Sequence, residues 1–281
     1  MKIYKVKSFA KINLVLHVTG KLKKLHKIES IIKFIQLHDL ITIKIGKGSN
    51  HKISFNGHFS KNIKKNNTVD NLFKILDDKN LLNNKKFQIN VKKNIPQEAG
   101  LGGGSMNAAT ILKFLIEKKF IKINQKKILQ ITNLIGSDVI LGINPTSAIL
   151  SSNGAVKRFL KTSSFYTLLV RPNFGCSTKK IYSGVKKFSK PVLNNPKKNM
   201  LNLNLLLKYD NALEKIAFSK YQELKKLKFF LENLNKPLFV RMTGSGSVLV
   251  AYYQRKQDCE LAKVRFKRKF RNYWCNTSKT I

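Results

Sequence analysis

The amino-acid sequence predicts a mixed α+β protein with two domains. Segments rich in β-branched residues are interspersed with segments whose apolar residues recur at helical spacing, and this pattern starts again from residue 148 onward. The chain has 281 residues, of which 42% are hydrophobic, so it can bury one large core or two smaller ones. We therefore predict two domains.

The N-terminal half begins with strands and continues with helices. In residues 3–18, β-branched side chains alternate loosely with polar ones, which predicts a strand, a break and a second strand. The other predicted strands are residues 41–45, 52–55 and 87–91, and the predicted helices are residues 71–76, 105–118 and 126–134. This half therefore mixes both element types.

The C-terminal half has the same mixture without an internal sequence repeat. A strand is predicted over residues 166–170, and a basic polar stretch follows at residues 183–198. Two further strands, residues 238–242 and 247–253, are predicted on either side of a glycine turn. The predicted helices of this half are residues 210–217, 220–234 and 259–270.

The net charge is the most unusual bulk property of the chain. Its 55 Lys and Arg against 14 Asp and Glu give +41, a balance that often indicates a nucleic-acid partner. The lysines are spread over the whole chain beside many Asn and Ile, which favours a compositional bias, so we expect no nucleic-acid partner. Residues 21–27 and 265–271 stay open as polyanion contacts, although a solvated helix face also explains the second segment.

The sequence gives no indication of a membrane or metal-rich protein. No apolar run approaches the roughly 18–20 residues that a membrane-spanning helix needs, and the first residues do not have the layout of a signal peptide. Cys176, Cys259 and Cys275 are widely spaced and form no CxxC pair, which argues against a disulfide framework or a zinc site. We expect a cytoplasmic protein that is a monomer or a homodimer.

A glycine-rich loop is the strongest functional signal in the sequence. Residues 94–109 follow a predicted strand and open a predicted helix, and Gly100, Gly102, Gly103 and Gly104 lie within five positions. Without Cβ atoms, such a backbone can turn sharply and direct N–H groups at an anion, and the positive end of the helix adds to the attraction. The loop lacks the spacing of a P-loop, of a Rossmann fingerprint and of the protein-kinase signature set. The sequence therefore predicts a phosphate-binding loop of another kind.

The loop resembles the ATP loop of the GHMP kinase superfamily, and three other segments match this superfamily in order. Residues 8–14 (SFAKINL) are similar to its first motif, residues 136–138 (GSD) to its Gly-Ala-Asp segment, and residues 241–247 (RMTGSGS) to its third motif. The resemblance covers nearly the whole chain. It implies an ATP-dependent small-molecule kinase with an N-terminal ribosomal-S5-like domain over residues 1–155 and a C-terminal ferredoxin-like domain over residues 156–281.

The resemblance also implies a set of site residues. Lys11 and Asp138 would be catalytic, with Asp138 accepting the proton of the acceptor hydroxyl and Lys11 orienting it and stabilising negative charge. The residues implied for ATP are Asn67, Lys93, Pro96, Gly100, Leu101, Gly102, Gly103, Gly104 and Ser105, and Mg²⁺ would bridge the phosphate oxygens with help from Ser105. The residues implied for the substrate are Asn13, His26, Thr178, Tyr182, Gly244 and Ser245.

Three of the implied substrate residues indicate which branch of the superfamily the chain resembles. His26, Thr178 and Tyr182 match positions that contact a small-molecule substrate carrying a cytidine diphosphate, whose 2-hydroxyl is phosphorylated. The sequence departs from this pattern at five positions, Phe9, Leu25, Met106, Ser137 and Ile140. Two alternatives stay open: a GHMP kinase acting on homoserine or a mevalonate derivative, and a nucleic-acid-binding protein with a degenerate kinase site.

Overall fold

The computed structural model describes residues 2–22 and 25–281. Lys23 and Lys24, two residues of the basic segment 21–27, lie outside the described residues. The chain divides into two compact units that are interleaved along the sequence. Unit 1 contains the chain up to Ala10 together with Leu37–Pro96 and Gly102–Pro145, and unit 2 contains Lys11–Gln36, Gln97–Leu101 and Thr146–Ile281. The domain boundary at residue 155 stays a prediction.

The strands and helices follow one another in a mixed order. The strands are β1 (Ile3–Lys21), β2 (His26–Ile45), β3 (Lys52–Asn56), β4 (Phe87–Lys92), β5 (Ser147–Leu150), β6 (Val156–Phe159), β7 (Tyr166–Arg171), β8 (Phe239–Met242), β9 (Leu249–Tyr253) and β10 (Trp274–Lys279). The helices are α1 (Thr68–Asp78), α2 (Gly103–Glu117), α3 (Gln125–Ile135), α4 (Val139–Ile143), α5 (Thr178–Tyr182), α6 (Leu203–Leu206), α7 (Leu213–Lys220), α8 (Gln222–Glu232) and α9 (Lys256–Lys269), with a 3₁₀ turn at Lys198–Leu201.

The predicted break between residues 3 and 18 is wrong, because β1 is one continuous strand. The consecutive residues Leu14, Val15 and Leu16 are all buried, so both faces of the strand are covered there and the sequence does not alternate. The predicted helices at residues 105–118 and 126–134 are confirmed as α2 and α3, with ends that differ by at most two residues. Strands β5, β6 and β10 are absent from the prediction.

Unit 1 is a sheet segment covered by helices. Strand β4 lies between β3, to which it is parallel, and Leu40–Ile45 of β2, to which it is antiparallel. Its core is formed by apolar residues of the sheet and of helices α1, α2 and α3, among them Ile41, Leu72, Ile89 and Leu112. Strand β4 ends at Lys92, and helix α2, which packs on this sheet, begins at Gly103 after the loop 93–102.

Unit 2 contains a four-stranded antiparallel sheet in the order β10-β7-β9-β8. In addition, β5 pairs with Ser30–Ile32 of β2 and with β6. Helices α7, α8 and α9 contribute to a core that includes Leu168, Leu227, Ala251 and Phe266. Within the ranges that the structure describes, no helix is long and apolar enough to cross a membrane.

The aromatic residues of the basic segment 265–271 belong to this core. Phe266 is fully buried and its ring lies 5.0 Å from that of Phe270, which in turn lies 5.2 Å from the ring of Tyr273. Arg265, Arg268 and Lys269 are exposed on α9. Cations and aromatic residues therefore alternate here because the rings pack against the core while the cations face solvent.

Candidate active site

The N-terminus of α2 in unit 1 has the properties of an anion site. Gly102 precedes the helix with a φ of 68°, in the left-handed region that favours glycine. The first N–H groups of this 15-residue helix have no intrahelical acceptor, as in any helix. No side chain of the described residues caps them, so they stay available to a ligand. Gly104 is exposed and Ser105 is half-buried. The first turn can therefore present backbone N–H groups and one hydroxyl to a phosphate.

Lys93 is held beside the start of α2 by a buried carboxylate. It forms an ion pair with Asp39, which is fully buried. The other carboxylate oxygen of Asp39 accepts hydrogen bonds from the backbone N–H groups of Asn94 (2.7 Å) and Ile95 (2.9 Å). A Cβ on Gly103 would lie 3.3 Å from Lys93 Nζ, so the two predicted ATP residues are close neighbours. Pro96, also buried, lies in the loop that leads from β4 to α2.

Asn67 caps helix α1. Its side-chain oxygen accepts hydrogen bonds from the N–H groups of Val69 (2.9 Å) and Asp70 (3.3 Å), and Asp70 completes a capping box. The next residue, Thr68, donates a hydrogen bond of 2.7 Å from its hydroxyl to the carbonyl of Gly104. Asn67 is therefore placed next to the first turn of α2, but its side chain already has a structural role.

Asp138 immediately precedes α4, and this short helix packs against α2. A Cβ on Gly142 would lie 2.7 Å from the Cβ of Ala109 and 2.9 Å from the Sδ of Met106. The buried Met106 side chain thus fills the contact between the two helices, which explains why a large apolar residue stands at this position. Asp138 is half-buried, and its position relative to α2 is fixed by this contact.

Lys11 in unit 2 is buried, with 5% of its surface exposed. Its Nζ donates a hydrogen bond of 2.7 Å to Oδ1 of Asn13, which is also buried. Its backbone N–H donates to the carbonyl of Leu101 at 3.1 Å. Three predicted residues, Lys11, Asn13 and Leu101, are therefore directly connected.

The two predicted glycine turns of unit 2 touch each other. Gly100 has a φ of 73°, and a Cβ there would lie 1.9 Å from the carbonyl oxygen of Thr243. The Thr243 hydroxyl donates to the carbonyl of Gly100 (3.1 Å) and accepts from the backbone N–H of Asn13 (3.0 Å). Gly244 follows with a φ of 56°. The buried Thr243 therefore joins the glycine loop, β1 and the second glycine turn.

The remaining predicted substrate residues form two pairs in unit 2. The hydroxyls of Thr178 and Ser245 are 3.0 Å apart, with Thr178 exposed at the start of α5. At the other end of α5, the ring of Tyr182 lies 5.1 Å from that of His26 at an interplanar angle of 36°. Partial burial and the positive charge of Lys21 lower the pKa of His26, which favours the neutral imidazole at neutral pH.

Asn211 is a positioning residue that the sequence interpretation does not include. Its Nδ2 donates hydrogen bonds of 2.8 Å to the carbonyls of both Met242 and Gly244, so it braces the second glycine turn. Its Oδ1 accepts from the N–H of Leu213, the first residue of α7 (3.0 Å). Asn is a common residue at the start of a helix, and this preference could have indicated it. The helix predicted over residues 210–217 consequently begins at residue 213.

A second buried charge network lies in unit 2. Nδ1 of His17 is 2.9 Å from Oε1 of Glu29, whose carboxylate also accepts from the N–H groups of Val192 and Leu193. Burial alone would lower the pKa of His17, but its hydrogen bonds with Asp210 and Glu29 outweigh this and raise the pKa to about 9. The imidazole is therefore positively charged at neutral pH and stabilises two carboxylates.

Comparisons with known proteins agree on one family. Residues 67–150 match the family described as "GHMP kinases N terminal domain". The 4-diphosphocytidyl-2-C-methyl-D-erythritol kinase of Pelagibacter ubique (strain HTCC1062) is 58% identical over 281 residues, which is 100% of both chains. The kinase of the same name from Anaplasma marginale (strain Florida) is 33% identical over 261 residues, 90% of this chain and 89% of the relative.

A solved structure shows the same fold. The crystal structure of a 4-(cytidine 5'-diphospho)-2C-methyl-D-erythritol kinase superposes with a TM-score of 0.78 at 22% identity, and the match covers 98% of this chain and 99% of the other. At this identity the likeness concerns the fold alone. It agrees with the mixed α+β architecture that the sequence predicts.

Proposed function

Because the chain belongs to the 4-diphosphocytidyl-2-C-methyl-D-erythritol kinase family of the GHMP kinases, we propose that it phosphorylates the 2-hydroxyl of 4-diphosphocytidyl-2-C-methyl-D-erythritol with ATP. This reaction is a step of non-mevalonate isoprenoid precursor biosynthesis. The 58% identity to a kinase of that name over the full chain is the observation that carries the proposal. The predicted GHMP kinase fold and the predicted enzyme class are confirmed by the same similarity.

The start of α2 supports a role for unit 1 in holding the ATP phosphates. We assign the phosphates to the N–H groups of Gly102, Gly103, Gly104 and Ser105, because these precede or form an uncapped helix turn. The described residues contain no cluster of three or more His, Cys, Asp or Glu that could hold a metal ion. The half-buried Ser105 hydroxyl in the first turn of α2 would be a protein ligand for Mg²⁺, which commonly takes most of its other ligands from phosphates and water. When bound, Mg²⁺ neutralises charge on the phosphate oxygens.

The other ATP residues are proposed on their proximity to this turn or to the glycine loop. Lys93 lies against Gly103, and Asn67 lies next to the contact between Thr68 and Gly104. In unit 2, Gly100 and Leu101 are fixed by Thr243 and Lys11. Because Lys93 is paired with Asp39 and Asn67 is a helix cap, each would contact adenine only with the part of the side chain that these bonds leave accessible.

We assign the proton transfer to Asp138 and the stabilisation of negative charge to Lys11. Phosphoryl transfer requires alignment of the acceptor hydroxyl and stabilisation of charge more than covalent chemistry by the protein. Asp138 is a half-buried carboxylate on a packed helix start, and Lys11 is a buried ammonium oriented by Asn13. As the acceptor oxygen bonds to the γ-phosphorus, its proton passes to the Asp138 carboxylate and ADP leaves.

The exposed side of α5 supports the assignment of the cytidine side. Tyr182 and His26 present two neighbouring rings on which a base can stack, and Thr178 and Ser245 present paired hydroxyls. Asn13 and Gly244 complete the proposed substrate residues. Leu25, which stands beside His26, is 64% exposed and supplies no aromatic surface, so we assign the stacking to Tyr182.

An acceptor comparison tests the proposed function. Purified protein is incubated with Mg-ATP and 4-diphosphocytidyl-2-C-methyl-D-erythritol, homoserine or mevalonate, and release of ADP is followed. We expect ADP only with the first acceptor. Turnover with homoserine or mevalonate alone would name another GHMP kinase, and no turnover together with salt-dependent RNA binding would favour a nucleic-acid-binding protein.

The assembly and the location of the protein are part of the proposal. We propose a cytoplasmic monomer or homodimer. Sedimentation of the purified protein tests the assembly, and fractionation of the cells that make it tests the location. A larger assembly or recovery in the membrane fraction would contradict these two statements.

A further inference from the structure

A chain of buried hydrogen bonds in unit 2 ends on the Lys11 ammonium. Ser30 Oγ donates to the carbonyl of Val15 at 2.5 Å, Asn13 Nδ2 donates to Ser30 Oγ at 2.8 Å, and Lys11 Nζ donates to Asn13 Oδ1 at 2.7 Å. We propose that Ser30 is a positioning residue for phosphoryl transfer, acting through Asn13 on Lys11. This inference rests on the proposed function.

The direction of each hydrogen bond follows from the one before it. A hydroxyl has one proton, and the Ser30 proton is used by the carbonyl of Val15, which can only accept. Ser30 Oγ must therefore accept from Asn13, so the amide turns its NH₂ group toward Ser30. The carbonyl oxygen of the amide consequently faces Lys11, whose ammonium can only donate.

The opposite orientation of the amide is strongly disfavoured. It would place the NH₂ group against the ammonium, where two donors oppose each other, and the amide oxygen against a hydroxyl whose proton is already used. Asn13 and Ser30 are both buried, at 4% and 0% exposure, so water does not readily replace a lost partner. Without the Ser30 hydroxyl the amide keeps only the Lys11 ammonium to select its orientation and loses the hydrogen bond that holds its NH₂ group in place.

The position of Ser30 makes it a rigid support. It lies on β2 and pairs with Leu150 of β5 in the sheet. The backbone of Asn13 is held separately, because its N–H donates to the Thr243 hydroxyl at 3.0 Å. Loss of the Ser30 hydroxyl is therefore expected to release the Asn13 side chain while its backbone stays in place.

The test compares Ser30→Ala with a matched control. Ser151 is 2% exposed and also donates from Oγ to a backbone carbonyl, that of Leu193 at 2.8 Å, but it has no connection to Lys11. We expect Ser30→Ala to lower kcat about tenfold with the KM for ATP within about twofold of wild type, because Lys11 is misplaced rather than removed. Ser151→Ala should leave kcat within about twofold while losing comparable stability.

A double-variant comparison separates positioning from a general loss of stability. In the Asn13→Asp background either carboxylate oxygen can face Lys11, so rotation of the side chain no longer matters. Ser30→Ala should then lower kcat by no more than about twofold further. Ser30→Thr, which keeps the hydroxyl, should retain most of the activity and serves as the folded variant if Ser30→Ala is unstable.

Two results would overturn the proposal. One is a kcat for Ser30→Ala that matches Ser151→Ala, and the other is an equal effect of Ser30→Ala in the Asn13 and Asn13→Asp backgrounds. Failure of the proposed function is distinguishable, because then the wild-type protein itself shows no turnover on this acceptor. In that case exchange of the Asn13 side-chain amide protons, followed by NMR, decides the inference: Ser30→Ala should speed the exchange, and unchanged exchange contradicts the proposal.

Discussion

The start of α2 in unit 1 and the surroundings of Lys11 in unit 2 are built in opposite ways. At the start of α2, glycines expose backbone N–H groups, and no side chain of the described residues caps the helix. Around Lys11, functional groups of several buried side chains are hydrogen-bonded in a defined direction. Function should therefore depend on accessible backbone groups at the start of α2 and on side-chain hydrogen bonds around Lys11. The predictions below test single residues of the two units.

The largest effect is expected for replacement of Asp138, a proposed catalytic side chain of unit 1. Asp138→Asn keeps the shape of the residue and removes the proton acceptor, so kcat should fall by about a hundredfold or more with little change in the KM for ATP. Steady-state ADP release measures both constants. The control is Asp78→Asn, at an exposed aspartate at the end of α1, and it should leave kcat and the KM for ATP unchanged. A fully active Asp138→Asn protein would exclude Asp138 as the base.

Adding one methyl group to the glycine loop should have the next largest effect. In Gly100→Ala the new Cβ would approach the Thr243 carbonyl to 1.9 Å at a φ of 73°. We expect about 3 kcal/mol of lost stability and at least about a tenfold loss of kcat/KM, from backbone strain and overlap. Urea unfolding measures the loss of stability, and ADP release measures the loss of kcat/KM.

Gly103→Ala is the matched comparison for this change. Its Cβ would lie 3.1 Å from a side-chain methyl of Ile95, which can move, and its φ is not in the left-handed region. The stability of this variant should change by less than about 1 kcal/mol. Equal losses for the two alanine variants would contradict the view that Gly100 is required by a backbone contact.

The His17 network of unit 2 should give the protein a pH-dependent stability. The pKa of His17 in the folded protein, about 9, lies above its unfolded value of 6.5, so the folded state binds the proton more tightly. Its contribution, on the order of 3 kcal/mol, is complete below pH 6.5 and is lost as the pH rises through 9. Urea unfolding across this range should show the decline, and the part of it due to His17 should disappear in His17→Gln. An identical decline in both proteins would contradict a raised pKa.

The smallest effect concerns the cap of α1. Asn67→Ala should lower the free energy of unfolding by about 1 kcal/mol, because two backbone N–H groups lose their acceptor. Asn67→Ser restores a capping oxygen but is shorter. We expect both variants to raise the KM for ATP about threefold, because both lose the proposed contact of the Asn67 amide with ATP. Asn67→Ser should nevertheless recover the stability. A KM that returns to the wild-type value would assign Asn67 to capping alone.

The sequence predicts the start of α2 well because its signal is local. Gly100, Gly102, Gly103 and Gly104 lie within five positions, and the helix that they open has regular apolar spacing, so the loop and the helix are visible in one short window. The helix α1 extends beyond the prediction at both ends, because the capping box of Asn67 fixes its first turn before the apolar pattern begins. Elements of four residues such as β5 and β6 are too short to give a periodic signal.

The surroundings of Lys11 are less predictable because their partners are distant in sequence. The backbone of Asn13 and the hydroxyl of Thr243 are 230 residues apart, and Glu29 holds a loop 163 residues away. In unit 1, Asp39 and Lys93 are likewise separated by 54 residues. A pattern along the chain does not pair such residues. Lys11 and Asn13 are predicted through the resemblance to a family, and Thr243 lies in a motif of that resemblance without an assigned role. Ser30 and Asn211 emerge only from the three-dimensional structure.

The position of the transferred phosphate tests the proposed function most directly. Phosphorus NMR of a reaction containing the protein, Mg-ATP and 4-diphosphocytidyl-2-C-methyl-D-erythritol follows every phosphorus atom. We predict one new phosphomonoester signal for each ADP formed, with the diphosphate of the acceptor intact. Coupling between phosphorus and the carbon atoms around position 2 should place the new ester on the 2-hydroxyl. Formation of ADP with inorganic phosphate alone, or cleavage of the acceptor diphosphate to release CMP, would contradict the proposal.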